Sequence, residues 1–480
     1  MTTLSTDVLI CGAGAAGLTL AVDLARRGVD FLLIDKADGP FQGSRGKGIQ
    51  PRSLEVFEDL GVLDGLLAAG AAPYPPIRAY AGDSFTDSQL SEDAEPTPAE
   101  PYSRPLMMPQ FLTERVLRDR LAALGHAPRF GAALTGFTQD AGGVTATLGS
   151  GETIRAQWMV GADGGRSFVR SALSIEFPGE TRPGRGLVAD ARLTGLSRDV
   201  WHMFAGPDGQ RISFCPLAGT DLFQLQGHAP DTEDFSVEAL NALTRARSGR
   251  EDIVISEVLW ASTFGINARL ADRYRVGRVL LAGDAAHVHP PTGGQGLNTS
   301  LQDSYNLGWK LAAVLNGAPE SLIDTYEAER RPIAAEVLGL STRLLAQTEM
   351  KRGREARQLD LGYAGSPLSL ALRKTATLAA GDRAPDAPGR DRTGAPLRLF
   401  DLLKGPHWTL LAVETASPLA AREGLKVVRI GEDLIDADGH FQTAYAAEPG
   451  DLILIRPDGY IAAVGRAEDV AAFEAYLASV

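Results

Sequence analysis

The stretch DVLICGAGAAGLTLAVDLARRGVDFLLID, residues 7–35, decides the fold. An apolar strand runs into a glycine-rich turn, an Ala/Leu-rich helix follows, and a second apolar strand ends at Asp35. The spacing of the apolar residues changes from that of a strand to that of a helix and back. This order predicts a βαβ unit.

Three glycines in this unit, Gly12, Gly14 and Gly17, form the pattern GxGxxG. The first permits a tight turn, the second lets the backbone approach a pyrophosphate, and the third lets helix and strand pack closely. Asp35 stands where an acid can accept the ribose hydroxyls. The pattern predicts dinucleotide binding rather than a plain glycine turn, but it does not distinguish FAD from NAD.

Composition excludes several classes of protein. The 480 residues, 44% of them hydrophobic, can form two or three domains. A net charge of -13 argues against nucleic-acid binding. The two cysteines, Cys11 and Cys215, are too far apart for CxxC chemistry, and no run reaches the roughly 18 apolar residues of a membrane span. With no signal-peptide pattern at the N-terminus, we expect a cytoplasmic protein without nucleic-acid or membrane partners.

The pattern along the chain predicts three domains. Residues 73–105 are rich in proline and predict a loop or short strands, whereas residues 110–124 predict a helix. Four alternating segments in residues 190–228 predict antiparallel strands, and helices broken at Pro319 and Pro332 are expected after residue 297. The predicted domains are a dinucleotide-binding domain (1–73, 106–178 and 277–347, with a helical extension to about 380), a substrate-binding β-sheet domain (74–105 and 179–276) and a C-terminal α/β domain (381–480).

A second motif, GDAAHVHPPTGGQGLN at 283–298, also follows an apolar strand. His287 and His289 could bind a metal, the segment could be an ordinary turn, or the helix beginning near Gln295 could face a ligand. Only Asp284 offers a convincing third metal ligand nearby, so we expect no metal site and a buried His287. A plain turn does not account for GGQG, whose missing side chains let the backbone approach a flat ligand. We therefore predict a ligand below this helix.

A third motif, GADGGRSFVR at 161–170, reads as strand, turn and helix, in which Asp163 either caps the helix or faces a ligand. In this order and spacing the three motifs resemble the class A flavoprotein monooxygenases, the aromatic hydroxylases typified by para-hydroxybenzoate hydroxylase. The layout is most similar to the aromatic polyketide, rifampicin and phenol hydroxylases. The resemblance implies an α/β fold with a Rossmann-like, GR2-type FAD-binding domain, an inserted mixed or antiparallel β-sheet substrate domain, and a C-terminal thioredoxin-like domain that lacks CxxC.

The resemblance also implies an activity. It predicts non-covalent FAD, NADPH or NADH as a transient reductant, and O2 as co-substrate for hydroxylation of a phenol or aromatic polyketide through a C4a-hydroperoxyflavin. The alternatives are a Baeyer–Villiger oxidation of a polyketide ketone, and a flavin oxidase or binding module without oxygen insertion. A pyridine-nucleotide dehydrogenase does not account for the second motif, and the WxWxIP segment of flavin-dependent halogenases is absent. A homodimer is compatible with the sequence.

Carried onto this sequence, the resemblance assigns roles to individual residues. The GxGxxG glycines hold the pyrophosphate, Asp35 binds the adenosine ribose, Asp163 lines the pyrophosphate and nicotinamide path, and Asp284 contacts the ribityl or pyrophosphate region. The expected cofactor contacts are Gly12, Gly14, Ala15, Ala16, Gly17, Asp35, Lys36, Arg45, Gln110, Asp163, Gly283, Asp284, Pro291, Gly294, Gln295, Gly296, Leu297 and Asn298.

The chemistry itself is expected from the flavin, and the protein is expected to supply a dry, orienting pocket. The candidate catalytic residues are Arg45, Pro290, Pro291 and Gly293, and the residues predicted to line the substrate are His202, Phe204, Phe214, Phe223 and Gln224. Lys47 departs from the small apolar residue often found at its place in the family. For Arg45 and Arg52 the alternative role is a solvated helix cap.

Overall fold

The computed structural model describes residues 3–82, 84–92, 94–290, 294–346 and 352–480. Five sheets and eleven α-helices are present in these residues. Of the helices in the described segments, none is long and apolar enough to cross a membrane.

The N-terminal part is built on a seven-stranded sheet. Its strands are β1 (Thr3–Cys11), β2 (Phe31–Ile34), β8 (Leu134–Asp140), β9 (Gly143–Leu148), β10 (Thr153–Gly161), β16 (Arg275–Val276) and β17 (Val279–Leu281). The parallel strands β17, β10, β1 and β2 lie side by side, while β16 and the hairpin β8–β9 join them in antiparallel fashion. Parallel strands need crossover connections, which the helices supply.

The first of these connections is helix α1 (Ala15–Arg26), which links β1 to β2 and confirms the predicted βαβ unit. Gly12 has a φ of +112°, a region that favours glycine, and a Cβ there would collide with the Ala162 carbonyl. A Cβ on Gly17 would collide with the Gly12 carbonyl. The two glycines therefore let α1 begin directly against the carboxyl ends of β1 and β10.

The other helices follow the chain in order. They are α2 (Pro51–Asp59), α3 (Leu63–Ala68), α4 (Gln110–Ala123), α5 (Phe168–Ala172), α6 (Val237–Ser248), α7 (Gly296–Leu315), α8 (Asp324–Ala346), α9 (Leu399–Leu403), α10 (His440–Tyr445) and α11 (Val470–Leu477). The buried apolar face of α1 contacts α4 and α7, and these helices share one hydrophobic core with the seven-stranded sheet. Helix α4 matches the predicted helix at 110–124 to within one residue.

An eight-stranded sheet forms the middle of the molecule. Its strands are β5 (Ile77–Ala81), β6 (Ser84–Ser88), β11 (Gly179–Thr194), β12 (Trp201–Ala205), β13 (Arg211–Pro216), β14 (Phe223–His228), β15 (Val254–Leu270) and β18 (His287–Val288). Their spatial order is β18-β15-β11-β14-β13-β12-β5-β6. The four segments predicted as antiparallel strands are β11 to β14, and their antiparallel pairing confirms that prediction.

A small sheet of β3 (Gly48–Ile49), β4 (Ala72–Pro73) and β7 (Leu106–Met107) connects these two parts. Strand β18 comes from inside the range predicted for the dinucleotide-binding domain, yet it pairs with β15 of the eight-stranded sheet. The three-domain division drawn from the sequence remains an interpretation.

The helical region after residue 296 differs from the prediction at one proline. Helix α7 ends before Pro319 as expected, but α8 continues through Pro332 instead of breaking there. Proline removes a backbone N–H and frees the carbonyl four residues earlier. Both Pro332 and Ala328 are exposed, so water can bind the freed carbonyl, while Ile333 and Val337 stay buried and hold the helix in place.

The predicted helical extension to about residue 380 is wrong for the described part of that range. Residues 352–380 contain a 3-10 turn at Arg354–Arg357 and otherwise turns and loops. The tertiary contacts explain this course, because Tyr363 packs against Tyr460 and Leu368 packs against Trp309. The segment therefore connects α7 and α8 with the C-terminal part of the chain.

The C-terminal part has a four-stranded sheet of β21 (Trp408–Val413), β22 (Leu425–Ile430), β23 (Leu452–Ile455) and β24 (Ile461–Gly465) in the order β22-β21-β23-β24, beside the hairpin of β19 (Pro388–Arg390) and β20 (Pro396–Arg398). Strands β23 and β24 pair across the turn PDG at residues 457–459, a sequence typical of hairpin turns, where Gly459 has a φ of +77°. The thioredoxin-like assignment stays a prediction.

A buried ionic network joins this part to α7 and α8. Arg456 donates to Glu329 at 2.6 and 2.9 Å and to Asp458, and Lys310 donates to Glu329 at 2.6 Å. Burial lowers the pKa of Lys310 to about 8, although the charge of Glu329 opposes that shift. Because these groups are fully buried, each charge depends on its partners.

Replacing Arg456 by methionine should destabilise the protein strongly. The change leaves Glu329 and Asp458 buried without their main cation, and breaking a buried pair in this way costs about 3–5 kcal/mol. Urea denaturation followed by circular dichroism measures the loss. The matched control is Arg422→Met, which removes an exposed pair with Glu474 and should change stability little. Equal effects of the two substitutions would contradict the importance of the network.

Candidate active site

A cleft of about 310 Å³ lies at the carboxyl edge of the parallel strands. Its walls come from the GxGxxG turn, the end of β2, the start of α4 and the loop after β10. Ligands of open α/β sheets bind at this edge. Of the residues predicted to contact the cofactor, the cleft brings together Gly12, Gly14, Asp35, Lys36, Arg45, Gln110 and Asp163.

The glycine turn fits a pyrophosphate. A Cβ on Gly14 would have Glu114 Oε1, 3.9 Å away, as its nearest neighbour, so the glycine keeps open space rather than protein contacts. Gly14 is also the N-cap of α1, makes no side-chain cap, and the first turn contains no acidic residue. A helix N-terminus in this state attracts phosphate oxygens through its free N–H groups and its dipole. The residues present therefore fit an FAD pyrophosphate.

Two acids at the cleft brace its backbone. Asp35 accepts hydrogen bonds from the N–H groups of Ala13 at 2.7 Å and Ala37 at 2.8 Å, which fixes the turn after β1 to the end of β2. Asp163 accepts from the N–H groups of Phe168 and Val169 at the start of α5. Asp163 therefore caps the start of α5 and lines the cleft, while its contact with a cofactor stays a prediction.

The segment at 283–290 is held by a buried network. His287 Nε2 lies 2.6 Å from Asp303 Oδ2, and its Nδ1 lies 3.0 Å from His289 Nε2. Arg330 donates to the other oxygen of Asp303 at 2.8 Å. Although burial opposes ionisation, the charges of His287 and Arg330 hold the pKa of Asp303 below its ordinary value. Both ring nitrogens of His287 thus have protein partners, and the histidine is fully buried, as predicted.

The same turn presents Asp284. Gly283 has a φ of +62°, and its N–H donates to Asp303 at 3.2 Å. The Asp284 side chain is exposed, yet desolvation by the surrounding protein raises the pKa of its carboxyl group. The charges of His287 and Arg45 and a hydrogen bond from Ser300 oppose this shift. In the described residues, no group of three or more His, Cys, Asp or Glu side chains is arranged to hold a metal ion.

The start of α7 is tied to β3 and to Gln50, the residue that follows it. The Asn298 side chain accepts from Gln50 N at 2.7 Å and donates to the carbonyls of Gly48 and Gly294. Gln295 donates to the Ala356 carbonyl at 3.1 Å. These contacts fix the segment predicted to face the flavin.

The structure places the other predicted site residues nearby. Pro290 is buried, Ala15 and Ala16 lie in the first turn of α1, Gly296 is the first residue of α7, and Leu297 packs beside Gly46. Pro291 and Gly293 lie outside the described residues.

A row of side chains crosses the eight-stranded sheet on the side that meets the loop at 43–47. We call Trp260, Asp190, Gln224, Cys215 and Trp201 the central row. Asp190 is the register partner of both Trp260 and Gln224, and Gln224 is the partner of Cys215. Trp201 packs with Cys215. Directly paired residues share one face of a sheet, so the row forms one surface.

Of the five residues predicted to line the substrate, the structure brings only Gln224 to this face. The rings of Phe204, Phe214 and Phe223 pack with Leu240 of α6 on the opposite face. On that same side the His202 ring stacks on Tyr80, and its Nδ1 lies 2.9 Å from the Tyr80 hydroxyl oxygen. The reason is the two-residue period of a strand, which places alternate residues on opposite faces. The sequence shows the alternation but not which face turns inward.

Lys47 reaches from the loop onto the central row. Its Nζ donates to Gln224 Oε1 at 2.5 Å and lies 4.2 Å from the centre of the Trp201 ring. Gln224 in turn donates to the Ser44 carbonyl. Lys47 is buried, and among the described residues no carboxylate lies within salt-bridge distance of it. Burial lowers its pKa, and the nearby Arg352 guanidinium acts in the same direction.

More cationic than acidic side chains lie near Lys47. Arg352 is close to Tyr74 and to Gly294 at the start of the segment predicted to face the flavin, and burial lowers its pKa too. Burial raises the pKa of Asp190, the acid of the central row, to about 6, although Ser44 and Lys47 oppose the shift. The buried cation Lys47 and the half-buried cation Arg352 therefore share this region with one acid, Asp190, whose carboxylate is easily neutralised.

Sequence reasoning missed several of these residues. Asp303 and Arg330 looked like ordinary helical residues, although a charged residue inside an apolar helix pattern is a signal of a buried partner. Lys47 was identified only as a departure from the family. Glu114 follows Gln110 by four residues, one helical turn, and this spacing could have shown that the two side chains meet.

The comparisons with known proteins agree with the geometry. Residues 5–341 match the family model described as an FAD binding domain, and residues 377–480 match the one described as the C-terminal region of aromatic-ring hydroxylases. This chain belongs to the flavin-dependent aromatic-ring hydroxylases.

Its similarity to members of this hydroxylase family extends over the whole chain. It is 43% identical to a flavin-dependent monooxygenase of Mycobacteroides abscessus, covering 95% of this chain and 96% of the relative. It is 41% identical to a rifampicin monooxygenase of Streptomyces venezuelae over 69% of each chain. The crystal structure of aklavinone-11 hydroxylase with FAD and aklavinone covers 99% of both chains with a TM-score of 0.83 and 29% identity.

Membership of the hydroxylase family confirms three predictions. The fold is a Rossmann-type FAD-binding domain with mixed and antiparallel sheets, the cofactor is FAD, and the chain is an FAD-dependent monooxygenase. A pyridine-nucleotide dehydrogenase is thereby excluded. The roles of single residues stay predictions.

Gly14→Val tests the pyrophosphate cradle. Gly14 has an ordinary φ of -78°, so valine adds no backbone strain but fills the open space above the turn. The variant should fold and purify without FAD, measured by absorption of the purified protein and by circular dichroism. The matched control is Gly136→Val on β8, where an added Cβ also points into open space but lies away from the cleft. Full FAD retention by the Gly14 variant would place the pyrophosphate elsewhere.

Proposed function

We propose that the enzyme hydroxylates a phenol or an aromatic polyketide, with NADH or NADPH as reductant and O2 as co-substrate. The observation that carries the proposal is the central row, where aromatic and hydrogen-bonding side chains of the sheet face the loop at 43–47. Support also comes from the relatives, whose names include rifampicin monooxygenase and aklavinone-11 hydroxylase.

Bound FAD supplies the redox chemistry of such a reaction, by accepting a hydride and activating O2. The residues of the chain bind and orient. We assign the pyrophosphate to the start of α1, the adenosine ribose to the region of Asp35, and the ring system to the backbone at Gly294–Asn298. The N-terminus of α7 then places the positive end of a 20-residue helix where negative charge develops on reduction.

The substrate ring is assigned to the space beside the central row. Trp260 at one end packs against Phe41 and lies below Arg45, and Trp201 at the other end lies below Lys47. These two tryptophans offer flat apolar surface, while Gln224 and Lys47 offer polar contacts to ring oxygens. Such a pairing of aromatic walls with few polar groups is typical of sites for small aromatic ligands.

Lys47 indicates which group of the substrate the site would bind. A phenol oxygen that carries partial or full negative charge would give Lys47 a direct ion-pair partner, whereas Asp190 acts on Lys47 only from beyond salt-bridge distance. Negative charge on this oxygen also increases the reactivity of the ring toward an electrophilic oxygen donor. Cytoplasmic location, a homodimer and non-covalent FAD remain predictions beside this proposal.

A screen of phenols and aromatic polyketides tests the proposal. Purified holoenzyme is mixed with NADH or NADPH, cofactor oxidation is followed by absorbance, and the products are examined by mass spectrometry. We expect substrate-stimulated oxidation together with a hydroxylated product. Oxidation without any altered aromatic would instead favour an oxidase, and a ketone converted to an ester would favour a Baeyer–Villiger reaction.

Lys47→Met should reduce kcat/KM for the best phenol by about tenfold or more, because a hydrogen bond to a charged group is lost at a buried site. FAD content should stay unchanged, since Lys47 contacts the sheet rather than the predicted pyrophosphate site. Steady-state kinetics and flavin absorption measure the two quantities. Lys374→Met, at an exposed lysine, is the control. An unchanged kcat/KM in the Lys47 variant would remove this residue from substrate recognition.

A further inference from the structure

Glu114 is a buried acid in the wall of the FAD cleft. It lies one turn into α4, is 1% exposed, and comes within 3.9 Å of the position of a Cβ on Gly14. The Ala15 backbone N–H, in the first turn of α1, lies beside its carboxylate. A carboxyl group thus shares the helix N-terminus that fits the pyrophosphate.

The hydrogen bonding of this carboxyl group is incomplete. Gln110 Nε2 donates to Oε1 at 2.8 Å, while Oε2 is buried and receives no hydrogen bond from the described residues. A buried, unpaired carboxylate oxygen is unfavourable unless a proton or a ligand satisfies it. The free oxygen therefore indicates either a neutral carboxyl group or a missing partner in the cleft.

The charged groups around Glu114 act on its pKa in both directions. On its own helix Arg118 favours the ionised form, and from the end of β2 Asp35 opposes it. The other charged side chains of the cleft are Lys36 and Arg45 on the loop after β2 and Asp163 after β10. Burial outweighs these effects and raises the pKa of Glu114 to about 7. The group can therefore change its charge near neutral pH.

An FAD pyrophosphate brings two negative charges to the same helix N-terminus. An ionised Glu114 would repel them and compete for the N–H of Ala15, whereas a neutral carboxyl group would not repel them and could donate its O–H to a phosphate oxygen. A like charge nearby raises the pKa of a carboxyl group further. The bound and free states of the protein thus differ in their affinity for one proton.

We propose that Glu114 is a proton-linked positioning residue for FAD: its carboxylate takes up one proton from solvent when the pyrophosphate binds, and the neutral acid then faces the phosphate. The assignment concerns cofactor retention and does not depend on which aromatic substrate the enzyme uses.

The sign of the pH dependence follows from this linkage. Below the pKa of Glu114 in the free protein, the acid is already neutral and FAD binding needs no proton. Above about pH 7 each pH unit should weaken FAD binding about tenfold, until the pKa of the complex is reached. A glutamine at this position is neutral at every pH, so its complex should lose this dependence.

The test measures FAD release from the holoenzyme between about pH 6 and about pH 9, by ultrafiltration and flavin fluorescence. For wild type we expect the dissociation constant to rise with pH as described. For Glu114→Gln we expect a flat profile that equals wild type at the acid end and binds FAD more tightly at the alkaline end. Circular dichroism confirms that the variant is folded.

A matched control is Asp119→Asn, which removes an exposed carboxylate from the same helix α4, at a position that does not line the cleft. It should keep the wild-type slope. Parallel profiles for wild type and Glu114→Gln, or weaker binding by Glu114→Gln at all pH values, would overturn the proposal. So would the absence of proton uptake when FAD binds to wild type in weakly buffered solution at about pH 8, a measurement that needs no variant.

Discussion

The close contact between the start of α1 and the ends of β1 and β10 determines the rest of the structure. It exists because Gly12 and Gly17 have no side chains where the Ala162 and Gly12 carbonyls approach. The contact places free helix N–H groups at the sheet edge, and the cleft forms around them. Helices α4 and α7 pack on α1, so Gln110, Glu114 and the segment at 294–298 are positioned relative to the same point. One steric condition in a short turn thus orients the whole cofactor site.

Much of the fold follows from local patterns. The βαβ unit, α4, the antiparallel strands β11 to β14 and the β23–β24 hairpin were predictable, since each depends on periodicity or turn residues within a short stretch. Pro332 and residues 352–380 were not. There the course of the chain is set by distant contacts, such as Tyr363 with Tyr460, which no local pattern contains. Local rules also could not show that β18 would join the other sheet.

Some features of the candidate site likewise follow from local motifs, and others do not. Backbone features such as the glycine turn and the position of Asp35 follow from motifs, because a motif records a local conformation. Side-chain clusters depend on which elements meet: Lys47 contacts Gln224 across 177 residues, and Arg330 contacts Asp303 across 27. The inward face of the eight-stranded sheet depends on where α6 packs, and this is why four of the five predicted lining residues face away. The polar side chains that become buried where distant elements pack together are therefore the features of the site that the motifs did not predict.

In the proposed reaction, the enzyme inserts one atom of O2 into an aromatic substrate beside the central row. Turnover under isotopically labelled O2, with the phenol or polyketide that best stimulates NAD(P)H oxidation, tests it most directly. We expect one labelled oxygen in the hydroxylated product and none when only the water is labelled. A product without the label, or NAD(P)H consumption that yields only hydrogen peroxide with every aromatic tried, would contradict it.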